Sequence, residues 1–418
     1  MNPLLIALRR GSAPVGVPVM TALGLYAGTR GGGWSLDWGW TSGQLQQHGV
    51  LLAPLTAALA AWDASRDRRT TSAVLTRTYP RSPLPWLLLN CVGALLAGLA
   101  GWTALFTVMA LDVQGRGSPY WSVVLLGPLC LLAAVLVGAA AGRHLPRYLA
   151  APIVAVVVWV GLAYGSGSDN PLLARLSAVD RQCCEVSAQP VQATVAGQWL
   201  WIAALAVAAI AVLALPEVAR SAPLAVIAVV LGVVAVSILR DTGGRLTEAR
   251  QPTAESCGTR DGVTVCMWPE HAAGVNAWLR AISRYRAVFA DLGAQPDLYL
   301  EHGLRPGAEA ERIGPMRPDV AEVDVVMSLA QRLVPAPPAC AVRGDGSVHY
   351  PAAHANALLT AWLTHRIRPD LPTAALVPPA QAPQFARLLD SGVEQQRAWY
   401  AALVRAHGDC TTPAPAVP

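Results

Sequence analysis

Seven apolar runs, separated by polar stretches, fill the first 240 residues, at about 13–28, 47–62, 86–111, 122–142, 149–164, 199–215 and 224–239. Each is close to the roughly 20 residues a helix needs to cross a hydrocarbon core of about 30 Å. They predict seven membrane spans, preceded by a short amphipathic helix over 2–10. Beyond residue 240 the pattern turns amphipathic. Val275, Trp278, Leu279, Ile282, Tyr285, Val288, Phe289 and Leu292 recur at helical spacing after a start at Pro269-Glu270. Further helices are expected over 319–333, 352–367 and 384–407, the last with Phe385, Leu388, Leu389, Trp399 and Leu403 facing a core. The tail after residue 410, TTPAPAVP, reads as disordered. The expected fold is an all-α polytopic membrane protein over 1–240, followed over 241–418 by a mainly α-helical domain.

One segment of that second domain breaks the helical pattern. CGTRDGVTVC has Asp261-Gly262 at its centre, the signal of a two-residue hairpin turn. Counting outward pairs Arg260 with Val263, Thr259 with Thr264, Gly258 with Val265 and Cys257 with Cys266. The cysteines fall at a non-hydrogen-bonded pair, where strands approach most closely and a disulfide can form. Cys340 and Cys410 would then close a long loop. Cys183 and Cys184 are left over, and six cysteines allow 15 pairings.

The polar stretches set the topology. Residues 63–85, DASRDRRTTSAVLTRTYPRSPLP, hold Arg66, Arg68, Arg69, Arg77 and Arg81. With the N-terminus inside, the inner segments carry ten arginines and the loops between spans on the other side carry four. Arginine-rich short loops stay cytoplasmic. Seven spans then put residues 241–418 outside, which agrees with the concentration of cysteines there. The stretch with Trp34, Trp38 and Trp40 reads as an outer interfacial lip. His48 and Asp112 lie near span ends, and no Asp, Glu or Arg is expected well inside a span. That argues against a proton-driven carrier, which needs a buried relay. The small residues at 93–101 and 138–142 suit close helix packing.

Within 63–85, residues 70–77 have room for two helical turns, stopped by Tyr79-Pro80 and Ser82-Pro83. An arginine-rich segment, a short helix with Val74 and Leu75 on its apolar face, and a Pro-Arg-Ser-Pro turn into a span resemble the cytoplasmic loop between spans two and three of ABC-2-type export permeases. The resemblance implies a coupling helix that docks on a separate ABC ATPase dimer, and a second permease copy completing the pathway. It implies ATP and Mg on the partner, with no cofactor on this chain. Seven spans and an outer domain depart from that family's usual six spans with both termini inside.

Composition supports membrane residence, and the resemblance implies a bacterial plasma membrane. Of 418 residues 54% are hydrophobic and 14% charged, against about a quarter charged in soluble domains. All 31 basic residues are arginine. Without lysine the chain has no phosphate-binding GxxxxGK loop, so ATP would have to bind elsewhere. The formal charge of +5 gives no case for nucleic acid, because the arginines of the apolar half sit in its loops. No HExxH or GxSxG motif is present. His354 and His365 are eleven residues apart and read as surface or capping groups. No metal site or catalytic site is expected, and the chain is read as a transport subunit, not an enzyme. The alternative is a polytopic anchor that presents an outer sensor or assembly domain without transport.

Overall fold

The computed structural model describes residues 3–30, 37–66, 84–113, 117–177, 185–215, 218–292, 295–314, 321–342 and 349–418. They form two compact units, divided between Pro252 and Thr253.

The first unit is helical. Its helices are α1 (Pro3–Arg10), α2 (Ala13–Arg30), α3 (Trp38–Gln47), α4 (Gly49–Ala64), α5 (Leu84–Val113), α6 (Trp121–Val124), α7 (Leu126–His144), α8 (Ala150–Ser166), α9 (Pro171–Leu176), α10 (Gln192–Leu213) and α11 (Val218–Asp241). Strands β1 (Ala188–Pro190) and β2 (Thr247–Ala249) pair antiparallel, which carries this unit past residue 240. All seven apolar runs are helical. Among the described residues, four helices are long and apolar enough to cross a membrane: Leu84–Val113, Trp121–His144, Gln192–Leu213 and Ser221–Asp241. The 17 residues of α8 and the 16 of α4 are shorter.

These helices meet backbone to backbone. A Cβ added at Gly24 on α2 would lie 2.1 Å from the Gly101 carbonyl oxygen on α5. On α7, one at Gly138 would lie 2.2 Å from the Ala57 carbonyl oxygen, and one at Gly142 2.4 Å from that of Ala61, both on α4. Only glycine allows such approaches, so the small-residue stretches at 93–101 and 138–142 are interfaces, as expected. α4 is central, packing against α5, α7 and α8.

Trp38 and Trp40 lie on α3, a short helix in which Thr41, Ser42, Leu45 and Gln46 are buried. Asp37 caps it, accepting the Trp40 backbone N–H at 2.9 Å. Thr41 and Ser42 donate to the carbonyls of Asp37 and Trp38, which lets polar side chains sit inside. Asp63 is no loop residue. It ends α4, 2% exposed, and accepts the Ser12 hydroxyl at 2.6 Å.

The second unit is mainly helical, as expected, around one small sheet. Strands β3 (Ser256–Arg260), β4 (Val263–Met267), β5 (Leu298–Glu301) and β6 (Glu311–Ile313) form one sheet in the order β3-β4-β5-β6. The β3–β4 hairpin has the expected register, Cys257 opposite Cys266, and the positive φ of Asp261 and Gly262 makes its turn. Cys257 is bonded to Cys266, and Cys340 to Cys410. The sequence reading missed β5 and β6, which run parallel to β4.

Helix α12 (Val275–Val288) packs on β3 and β4, and α13 (Glu322–Ala330), α14 (Asn356–Ile367), α15 (Ala382–Asp390) and α16 (Val393–Ala406) complete the layer. The helix expected over 384–407 is two, because Ser391 and Gly392 are extended between α15 and α16. Val265, Met267, Tyr299 and Ile313 from the sheet meet Trp278, Ile282, Trp362, Phe385 and Trp399 in the core. The tail is not loose: Ala414 and Val417 pack on that core.

Asp291, after α12, binds the helices together. It accepts from Arg366 at 2.6 and 3.2 Å and from Arg397 at 2.9 Å. The Arg366 guanidinium also lies over the rings of Phe289 and Trp362 at 5.1 and 5.2 Å. Burial alone would raise the Asp291 carboxyl, but the hydrogen bonds from Arg366 and Arg397 outweigh it and hold the group below the usual carboxylate range.

Two outcomes follow from this packing. Gly138→Ala should lower stability by about 2 kcal/mol through overpacking against α4. Gly161→Ala, which meets nothing within 4 Å, should be neutral. Thermal unfolding of both variants in detergent compares them. For Asp291, a depressed folded pKa means its stabilisation is complete above the unfolded value near pH 4 and is lost as pH falls through the folded value. Asp291→Asn should therefore destabilise by about 2 kcal/mol at pH 7. It should also weaken the acid-side loss of stability, as read by unfolding curves from pH 7 to pH 2.

Candidate functional site

In open sheets with parallel strands, functional groups gather beyond the carboxyl ends of those strands. Here β4 runs into Trp268 and a 3₁₀ turn, Pro269–Gly274, and β5 ends on Glu301. Glu301 follows Tyr299 by two residues and so shares its core-facing side of the strand. Its carboxylate is fully buried.

That carboxylate accepts twice. Oε2 takes the Trp268 backbone N–H at 2.9 Å, and Oε1 lies 2.6 Å from Nδ1 of His271, itself 5% exposed. Trp268 also donates its indole N–H to the His302 carbonyl at 3.0 Å, and the His302 N–H reaches the Ile313 carbonyl at 3.0 Å. Trp268, His271, Glu301 and His302 thus join the ends of β4, β5 and β6.

Chemically, a carboxylate that fixes one imidazole nitrogen leaves the other oriented, as in metal sites and proton relays. Reaction needs access, and both side chains are closed to solvent. What the geometry supplies is a buried, hydrogen-bonded lock on the strand ends. No sequence motif marks His271 or Glu301. The signal was weak: one acidic residue on the core-facing parity of a four-residue strand, thirty positions away.

The remaining candidates are not brought together. His354 lies in the turn before α14, its Nδ1 at 2.6 Å from the Pro351 carbonyl, while His365 is on α14 with its ring against Phe385. His407 is buried, with Nε2 2.5 Å from the Asn356 side-chain oxygen. The carboxylate of Glu255 lies near the sulfurs of Cys257 and Cys266. Bonded to each other, those sulfurs offer no thiolate to a metal, and Arg305 pairs with Glu255.

In the first unit, Arg66 follows α4 and is half-buried. Arg68, Arg69, Val74, Leu75, Arg77 and Arg81 lie outside the described residues, as do Cys183 and Cys184. What is described is the anchoring on either side. α4 leads into that segment with Asp63 held by Ser12, and α5 leads out of it, clamped on α2 at Gly24 and Gly101.

The two units therefore define a chain with an apolar helical bundle and a disulfide-bonded, mainly helical unit that carries a small sheet. A family model described as a domain of unknown function, DUF7224, matches residues 265–410, from β4 through Cys410. No curated protein and no solved structure matches the chain.

Glu301→Ala should destabilise the second unit by about 3 kcal/mol, because it strands the Trp268 N–H and the His271 ring in a dry interior. Glu301→Gln keeps the shape and one acceptor and should cost about half as much. Chemical unfolding followed by tryptophan fluorescence tests the order.

Proposed function

We propose that the chain is the membrane-spanning permease subunit of an ATP-driven ABC exporter, located in a bacterial plasma membrane with its N-terminus cytoplasmic and residues 253–418 on the outer side. In this reading seven helices cross the membrane. A separate ABC ATPase dimer, carrying ATP and Mg, docks on residues 63–85, and a second permease copy completes the pathway.

The observation that carries the reading is where the arginine-rich segment is attached. It joins α4 to α5, and each of these is clamped backbone to backbone on another helix: α4 on α7, α5 on α2. A push on the segment would therefore move helix pairs rather than one loose helix. Arginine suits such a joint, because its planar fork holds carboxylates in defined geometry.

The second reading is an anchor presenting an outer sensor or assembly domain, which would rest on the second unit. The family-model match falls on residues 265–410, within the second unit.

The experiment changes Val74 and Leu75 together to aspartate, with Thr76→Ser as control. Docking into an ATPase cleft should be lost, since a buried apolar contact becomes an unpaired charge. Attraction to anionic lipid, which rests on the arginines, should persist. Recovery of the complex with tagged candidate ATPases, and stimulated ATP hydrolysis, are the readouts. A variant that still assembles and stimulates normally would favour the anchor.

A further inference from the structure

We propose that the groove between α10 and α11 is a binding site for one anionic glycerophospholipid, its acyl chain along the groove and its phosphate on Arg240. The inference is independent of the transport reading.

The groove has a volume of about 570 Å³, and its lining includes Trp201, Ala204, Val229, Gly232, Ser237 and Arg240. Small residues create it: Gly232 lies opposite Trp201 and Ala204, and a Cβ there would stand 3.8 Å from the Trp201 ring and 4.0 Å from Ala204. Between Val229 and Arg240 the helix rises about 16 Å at 1.5 Å per residue. That is about half of a hydrocarbon core of roughly 30 Å, the depth of one leaflet. The body of the groove therefore has the length of an acyl chain, and its lining there is apolar.

Its polar end is selective. Arg240 is exposed in the last turn of α11, with Ser237 one turn before it and Asp241 after it. No carboxylate pairs with the Arg240 guanidinium among the described residues. An arginine at the end of a span lies at headgroup depth, where its fork can hold two phosphate oxygens. A zwitterionic lipid offers the same phosphate with a compensating cation and should bind less well. The face is open to lipid: only 11% of the α11 span is buried, and Val229 and Val233 are each 64% exposed.

The test adds dioleoyl phosphatidylglycerol or dioleoyl phosphatidylcholine to the delipidated full chain in mild detergent, and counts bound lipid by native mass spectrometry. The expected result is about tenfold tighter binding of the anionic lipid. Arg240→Gln should reduce that preference to under about twofold, and Gly232→Leu, which fills the groove, should weaken both lipids. Arg240 is exposed, so its variant keeps the fold and decides the matter even if the glycine variant does not accumulate. Equal binding of both lipids by the unaltered chain would overturn the site. So would full preference retained by Arg240→Gln, or a native mass of two chains with no lipid, which would give this face to a second copy.

Discussion

The first unit depends on how closely its helices can approach. In lipid there is no hydrophobic gain when two apolar helices meet, since hydrocarbon is already around them. Association then rests on dispersion, which weakens steeply with any gap. Gly24 against Gly101, Gly138 against Ala57 and Gly142 against Ala61 bring main chains into contact without an intervening side chain. These contacts fix α2 on α5 and α7 on α4. Around them the larger side chains, Trp102, Leu105, Leu131 and Met20 among them, fill the space that the close crossings leave.

Polar groups in this unit follow the same economy of partners. Thr41, Ser42, Thr56 and Thr107 each return a hydroxyl to the carbonyl four residues earlier. A hydroxyl satisfied within its own helix asks nothing of its neighbour, so such residues can face an apolar interior. Asp63 is different, because it ties the end of α4 to Ser12 between α1 and α2. The second unit uses charge freely. With arginine as its only basic side chain apart from histidine, it builds planar pairs such as Arg366 with Asp291 and stacks the same guanidinium on rings.

How much of this was legible in the sequence follows from how local each constraint is. The hairpin could be paired residue by residue, because a two-residue turn and a period of two leave one register. The helices were legible because seven long apolar runs have no competing explanation, whereas crossing depends on a combination of length and apolarity that three of them do not clearly reach. Strands β5 and β6 were missed because Leu298–Glu301 and Glu311–Ile313 are too short to show alternation, and parallel pairing is set by distant partners. Helix α3 was not legible because its burial is non-local: Trp38 packs on Phe106, and Phe106 in turn on Trp121.

The buried pair of Glu301 and His271 belongs to the same non-local class, and it explains why the short parallel strands hold together. Three or four residues of ladder give little stability on their own. β4 and β5 are completed at their ends by side-chain bonds: Glu301 on β5 binds the main chain that continues β4, and the Trp268 indole binds the main chain that continues β5. Such a lock stabilises only if every member is satisfied, because a buried carboxylate with one bond missing is worse than an apolar residue. The pair therefore specifies one register for the sheet, and it places the carboxyl ends of the strands against a dry, fixed floor. Any chemistry at that end of the unit would have to come from residues outside this floor, since the lock leaves its own groups no exposure.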